Sequence, residues 1–289
     1  MENRVLNNGM KIPVIGIGTF PYKEELYNAL PIALNAGYRL IDTSDNYQNE
    51  NYIGNVYQKL ESTQLNNIIT ITKFSQPYQS HFFCKVFKRS QKALYSNTKH
   101  NIDIYLLHWP YPFLWKKHWK KMERLYQNGQ CKAIGVCNFE KKNLEKLLDI
   151  CTIKPMINQI ECHPMFQQKE TIEFCKNNNI QVMSYSPFAR MDTKLIKNNY
   201  LCKLAEKYGK HVQQIILRWN IQKGLIPIPA SVSKKHIISN FDIFDFELTD
   251  DEINGIDNLE CGMRVRFDPK TRFTTKQKIL FWVCSLIEW

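Results

Sequence analysis

Residues 40 to 50 read Leu40-Ile41-Asp42-Thr43-Ser44-Asp45-Asn46-Tyr47-Gln48-Asn49-Glu50. A short apolar run ends in an acid, Asp42. A polar loop then carries a phenol, Tyr47, and Glu50 opens a helical pattern. By itself such a strand–loop–helix unit is common. It gains weight because similar units recur. Apolar runs of strand length stand at Val14 to Gly18, Leu40–Ile41, Ile68 to Ile71, Ile104 to Leu107, Ala133 to Val136, Met156 to Ile160, Gln181 to Tyr185 and Leu225 to Ile228, eight in all.

Helical patterns lie between these runs. Tyr52–Ile53, Val56–Tyr57 and Leu60 share one face, as do Val212, Ile215–Ile216 and Trp219. Apolar strands alternating with amphipathic helices imply parallel strands joined by crossovers, and eight such units fit a closed (β/α)8 TIM barrel. A doubly wound sheet would carry a Gly-rich turn after its first strand. Here Gly16-Ile17-Gly18-Thr19-Phe20-Pro21 lacks the third glycine of that fingerprint.

The remaining segments fit around this barrel. Arg4 to Pro13, with Asn8-Gly9 at its centre, reads as an N-terminal β-hairpin. Glu24 to Asn35 has helical spacing and Gly37 to stop it, but Pro31 lies inside, so a kink or a later start is expected. Thr249-Asp250-Asp251-Glu252 is a capping box. Residues 1–273 are therefore expected to form the barrel. Residues 274–289 form an amphipathic C-terminal tail, packed on the barrel or at an interface.

Of the 289 residues, 44% are apolar and 23% charged, as in ordinary soluble proteins. The N-terminus has no apolar core of signal-peptide length, and the longest apolar stretch, Ile279 to Ile287, is about half a membrane span. The nine cysteines include no Cys-x-x-Cys pair, which points to reduced thiols and a cytoplasmic location. Cys162-His163 has no second pair at ligand spacing, so no metal site is expected. The net charge is +12. Its densest cluster, Lys116 to Lys121, interleaves with Trp115, Trp119 and Met122 in a helical pattern that turns the lysines to solvent. Nucleic-acid and membrane partners are not expected, and the chain reads as a monomer or weak homodimer.

In a barrel, chemistry collects at the C-terminal strand ends. Those positions hold Asp42, Lys73, His108, Cys137-Asn138, Gln159 and Tyr185 after the second to seventh runs. Each alone has a plain structural explanation, as a cap, a loop cation or a satisfied core group. Their recurrence at equivalent ends suggests one polar site. Asp45 gains no role and reads as a solvated loop residue.

The segment from Gly37 to Glu50 resembles the signature of the aldo-keto reductases. So do Tyr105-Leu-Leu-His-Trp-Pro110, Ile134-Gly-Val-Cys-Asn-Phe139, Asn158-Gln-Ile-Glu-Cys-His-Pro164 and Ser184-Tyr-Ser-Pro187, and Phe241 to Thr249 resembles the family's C-terminal segment. The resemblance runs from about residue 4 to Pro269, with its motifs in order.

It implies an NAD(P)H-dependent reductase of aldehydes, ketones or keto sugars. Tyr47 would be the proton donor, with Asp42, Lys73 and His108 completing a catalytic tetrad. A phenol with pKa near 10 is a poor acid at neutral pH, and an adjacent ammonium lowers that pKa. Asp42 would hold Lys73 charged, and a neutral His108 would orient the carbonyl. The resemblance further implies that Thr19, Asp42, Asn138, Gln159, Tyr185, Ser186, Ser231, His236 and Asn240 line the cofactor site. Tyr185 would stack on the nicotinamide, and Asn138 and Gln159 would bind its carboxamide. Phe20 and Trp109, with Tyr47 and His108, would line the substrate pocket.

Four departures stand out. Cys137 replaces the usual Ser. Lys73 is followed by Phe74-Ser75 in place of Leu-Trp. The segment from His108 to Trp119 is short, which implies an open pocket. At the eighth run, Ala230 and His236 stand where the family has the Lys and Arg that hold the 2′-phosphate of NADPH. NADH is therefore expected to serve at least as well as NADPH, with Lys234 and Lys235 as substitute cations. A barrel that binds a dinucleotide without turnover, as a sensor or structural partner, is the alternative.

Overall fold

The computed structural model describes residues 2–96, 98 and 100–287. Glu288 and Trp289, the end of the expected tail, lie outside these. The chain opens with an antiparallel hairpin, β1 (Asn3–Val5) and β2 (Lys11–Pro13). Eight parallel strands follow: β3 (Ile17–Gly18), β4 (Leu40–Asp42), β5 (Ile69–Phe74), β6 (Ile102–Leu107), β7 (Cys131–Cys137), β8 (Ile157–Glu161), β9 (Gln181–Tyr185) and β10 (Ile226–Ile228). Each pairs with its sequence neighbour. Gly16 and Gly18 then donate to the Pro227 and Pro229 carbonyls at 3.1 and 2.9 Å, which joins first strand to last and closes the barrel. All eight strands fall on the apolar runs of the sequence. They are buried on both faces, which is why they read as continuous runs and not as alternation; in β6 every residue is buried.

The helices form the outer layer. The first runs Leu26–Ala36, two residues later than Glu24, with Pro31 inside it on the solvent side. It stops at Gly37, whose φ of 113° is costly for a residue with a side chain and whose N–H caps the Ala33 and Leu34 carbonyls. Helix Glu50–Tyr57 lies so close to helix Phe83–Tyr95 that a Cβ on Gly54 would fall 2.0 Å from the Ala93 carbonyl oxygen. Thr249 and Glu252 form the expected capping box on helix Asp250–Asp257.

After the barrel, residues 261–274 run back across its mouth, and Arg266 from this stretch reaches the site. Helix Thr275–Ile287 follows. It is anchored by Phe281, 1% exposed, whose ring packs against Tyr78, Tyr111 and Phe273. Ile279, Leu280, Trp282 and Leu286 are left exposed. No helix among the described residues is long and apolar enough to cross a membrane.

Candidate active site

The site is assembled around Lys73, near the end of β5. Its side chain is fully buried, and its ammonium donates to Asp42 Oδ2 at 2.8 Å, the Thr43 carbonyl at 2.7 Å and the Tyr47 hydroxyl at 3.3 Å. Those three acceptors match the three hydrogens of an ammonium. Burial, the largest single effect, penalises the charge; the Asp42 carboxylate leads the neighbours that together outweigh it and hold the Lys73 pKa above its ordinary value. Asp42, at the end of β4, also accepts from Gln159 Nε2 at 2.7 Å. The acid thus ties β4 to β5 on one side and to β8 across the barrel.

Tyr47 rides on the 3-10 turn Asp45–Tyr47. That loop is held by Asn49, which is fully buried. The Thr43 hydroxyl donates to Asn49 Oδ1 at 2.6 Å, and Asn49 Nδ2 donates to the Thr19 and Tyr22 carbonyls at 3.1 and 3.0 Å. Burial raises the Tyr47 pKa; Lys73 pulls it down but does not win. The sequence argues for a lowered phenol pKa. The folded chain keeps the phenol protonated instead, because desolvation of a phenolate exceeds what one nearby ammonium returns.

His108 follows β6. Its ring centre lies 5.9 Å from that of Tyr47. Nδ1 contacts the Ser75 hydroxyl at 2.5 Å and the Ser44 hydroxyl at 3.2 Å. Burial, then the charges of Lys73, Arg272 and Arg266, hold the His108 pKa well below the ordinary value, so the ring is neutral at pH 7. Asp45 is not the solvated residue expected. It is half-buried, with the Ser75 backbone N–H 3.3 Å from Oδ2. Burial and the charge of Glu50 push its pKa up to about 7.

These groups floor a cavity of about 360 Å³. Of the expected site residues, Phe20, Asp42, Tyr47, His108, Trp109, Asn138, Gln159, Tyr185 and Ser186 line it. It is open on the Phe20 side, where that ring is 44% exposed. The cleft continues past Pro187, Phe188 and Arg190 to Ile228 and Ala230.

Other expected residues lie elsewhere. Thr19 is fully buried, with its hydroxyl donating to the Asp42 carbonyl at 2.9 Å. Ser231, His236 and Asn240 do not line the cavity, which stops at Ala230; His236 stands exposed on helix Lys234–Phe241 beside exposed Lys234 and Lys235. Lys73 lies beneath the floor. Cys137 is buried, 4.0 Å from Gln159 Oε1, and burial raises its thiol pKa.

The donor set fits a dinucleotide. Asn138 Nδ2 donates to the His108 carbonyl at 3.0 Å and its Oδ1 accepts from the Tyr185 hydroxyl at 2.6 Å. Gln159 spends one N–H on Asp42. Each amide retains a second N–H and a second lone pair, the complement of a carboxamide. Tyr185 gives the same wall an aromatic surface. Sequence reasoning passed over Arg190, Arg266 and Met191, which also line the cleft. No spacing signal marks them: Arg190 and Met191 lie on the turn Ala189–Met191 just after β9, and Arg266 comes from the return stretch after the barrel.

Residues 14–260 match the model of the aldo/keto reductase family. The chain is 40% identical over 270 residues to an uncharacterized oxidoreductase, YtbE, of Bacillus subtilis (strain 168), covering 91% of this chain and 95% of that one. It is 37% identical over 266 residues to a glyoxal reductase of the same organism, covering 91% and 95%. Among solved structures, a Bombyx mori aldo-keto reductase in complex with NADP superposes with a TM-score of 0.85 at 31% identity, covering 92% of this chain and 95% of that one. The chain belongs to the aldo/keto reductase family and is an NAD(P)H-dependent oxidoreductase.

Proposed function

We propose that the protein reduces a small aldehyde or ketone to an alcohol, with Tyr47 as the proton donor. The observation that carries this is the hydrogen-bonded line from Asp42 through the Lys73 ammonium to the Tyr47 hydroxyl, on the floor of a cavity. The nicotinamide supplies the hydride when bound. All other steps fall to side chains. The neutral His108 donates from Nε2 to the carbonyl oxygen and fixes its pose. That tautomer requires Nδ1 to accept, and the Ser75 hydroxyl stands in position to donate to it. As negative charge develops on the carbonyl oxygen, Tyr47 passes its proton there. The phenolate left behind is stabilised by the ammonium of Lys73, which Asp42 keeps charged.

The phenol is protonated at rest, as a donor must be. The ammonium favours the phenolate only once the proton has somewhere to go. Asn138, Gln159 and Tyr185 hold the nicotinamide end of the cofactor, and the stretch from Ser186 to Arg190 flanks its phosphates. Beyond Ala230, the groups left for a 2′-phosphate are Ser231, His236 and the exposed Lys234 and Lys235. NADH therefore serves at least as well as NADPH. The similarity to a glyoxal reductase supports a small aldehyde as the substrate. Nine free cysteines support a reducing, cytoplasmic setting.

The test is absorbance loss of NADPH or NADH with a panel of small aldehydes, in wild type and Tyr47→Phe. Turnover that falls at least a hundredfold in the variant, with cofactor affinity nearly unchanged, is the expected result. Retained turnover would remove Tyr47 from its role. Cofactor binding without turnover of any carbonyl would instead favour a non-catalytic dinucleotide-binding barrel.

A further inference from the structure

Residues 264–272 place four cations near the mouth of the barrel, and they fall into two pairs. Arg264 and Lys270 both pair with Glu140, at 3.1 and 2.8 Å. Arg266 and Arg272 have no ion-pair partner among the described residues. Glu161 touches the segment, but its oxygens accept from the backbone N–H groups of Val265 and Arg266.

Each unpaired guanidinium lies on an aromatic residue of the cavity lining, Arg266 on Phe20 and Arg272 on Trp109, but only Arg266 itself lines the cavity. Arg266 lines the cavity, 5.5 Å from the centre of the Phe20 ring. Arg272 lies 4.2 Å over Trp109 and 4.6 Å over Phe267. Its Nε is shielded from solvent and has no hydrogen-bond partner among the described residues. Both charges act on His108, so they reach the reacting end of the pocket. The cavity lining contains a single carboxylate, Asp42, which Lys73 neutralises at 2.8 Å. The Arg266 side of the pocket is therefore positive.

Two half-buried guanidinium groups without anions are costly. A ligand that brings an anion recovers that cost, because the planar fork matches a carboxylate or phosphate, and stacking on a ring fixes the fork before the ligand arrives. We propose that the physiological substrate is an anionic carbonyl compound. Its carbonyl sits at Tyr47 and His108, and its carboxylate or phosphate is held by Arg266, with the Arg272 charge over Trp109 drawing it to the same side. This rests on the carbonyl reduction proposed above. The anionic group takes no part in the bond changes: carbon gains the hydride, oxygen gains the Tyr47 proton, and solvent reprotonates the phenolate.

The test compares matched pairs at saturating NADPH. One pair is 4-carboxybenzaldehyde and methyl 4-formylbenzoate; the other is glyceraldehyde 3-phosphate and glyceraldehyde. The expected result is a kcat/KM at least tenfold higher for the anion of one pair, carried mainly by KM and shrinking as salt is raised. The pair with the larger ratio distinguishes a carboxylate from a phosphate. In Arg266→Ala/Arg272→Ala that ratio should fall toward one, and Arg266→Lys/Arg272→Lys should restore part of it. A wild-type ratio near one in both pairs would overturn the proposal, and so would a ratio that survives the double alanine change. A fall in NADPH affinity with the ratio unmoved would assign the arginines to the cofactor and likewise overturn it. If no aldehyde is turned over, the reductase function fails separately, and quenching of tryptophan fluorescence by benzoate but not benzamide still decides the anion site. Benzoate binding abolished by the double alanine change would support the site, and no benzoate binding to wild type would sink it.

Discussion

The hydroxyl of Ser75 lies 2.5 Å from Nδ1 of His108. The two residues sit at the ends of neighbouring strands, β5 and β6, and the Ser44 hydroxyl touches both, at 2.8 and 3.2 Å. A serine here can set which imidazole nitrogen carries the proton. Ser75→Ala removes that donor, and a lost hydrogen bond to a buried group costs about 1–1.5 kcal/mol. The expected effect is a kcat lower by about five- to tenfold, with cofactor affinity unmoved, and recovery in Ser75→Thr. The 15N shifts of His108 provide a check independent of activity: the alanine variant should mix the two tautomers.

The buried pair Lys73 and Asp42 is expected to be costly to break and cheap to neutralise. Lys73→Met leaves a buried carboxylate supported only by Gln159, and breaking such a pair costs about 3–5 kcal/mol. Adding Asp42→Asn removes the stranded charge and should recover more than half of the loss. Urea unfolding of the two single variants and the double variant measures the coupling directly.

Asp45 makes stability depend on pH in an unusual direction. Its carboxyl titrates near 3.8 when unfolded and near 7 in the fold. Between those values the native state holds a proton that the unfolded state has lost, so stability falls as pH rises from about 4 to about 7. Asp45→Asn should abolish this loss. It is expected to gain up to about 4 kcal/mol over wild type at pH 8, less what solvent screening of this half-buried group takes back, and to match wild type at pH 4. Equal pH profiles for the two proteins would contradict the assignment.

The cofactor's far end gives a prediction of gain. Ala230→Lys with His236→Arg supplies an ammonium and a fork where the family has them. NADPH affinity relative to NADH should rise at least tenfold, with the gain shrinking at high salt. Dissociation constants from cofactor fluorescence at two ionic strengths are the measurement.

Phe281 carries the docking of the C-terminal helix, whose other large side chains are mostly exposed. Phe281→Ala should remove about 3–5 kcal/mol of packing, most of what holds so small an interface. Helix Thr275–Ile287 should then detach and become sensitive to protease near Thr274, while the melting temperature of the barrel moves by only a few degrees.

Asp42, Lys73 and His108 were legible in the sequence because each ends an apolar run, and a barrel gathers such ends. Asp45 was not, because burial comes from neighbours such as Ser75 and Glu50 that β5 and the following helix bring to it. The direction of the Tyr47 pKa was also missed, since charge proximity is readable from order along the barrel but desolvation is not. Arg266 and Arg272 are read only in three dimensions. Nothing in chain order brings residue 266 to Phe20 or residue 272 to Trp109.

The segment bearing those arginines contributes no strand to the barrel. The groups assigned to proton transfer stand on or beside hydrogen-bonded strands, whereas the groups assigned to recognition hang from a return stretch laid over the mouth. Rewriting residues 264–272 would thus alter what enters while leaving Asp42, Lys73 and Tyr47 in place, its only reach into the chemistry being the charges that help hold His108 neutral. Such a division lets duplicated copies of one barrel diverge in diet while inheriting the same chemistry, and it marks this stretch as the place to begin re-engineering selectivity.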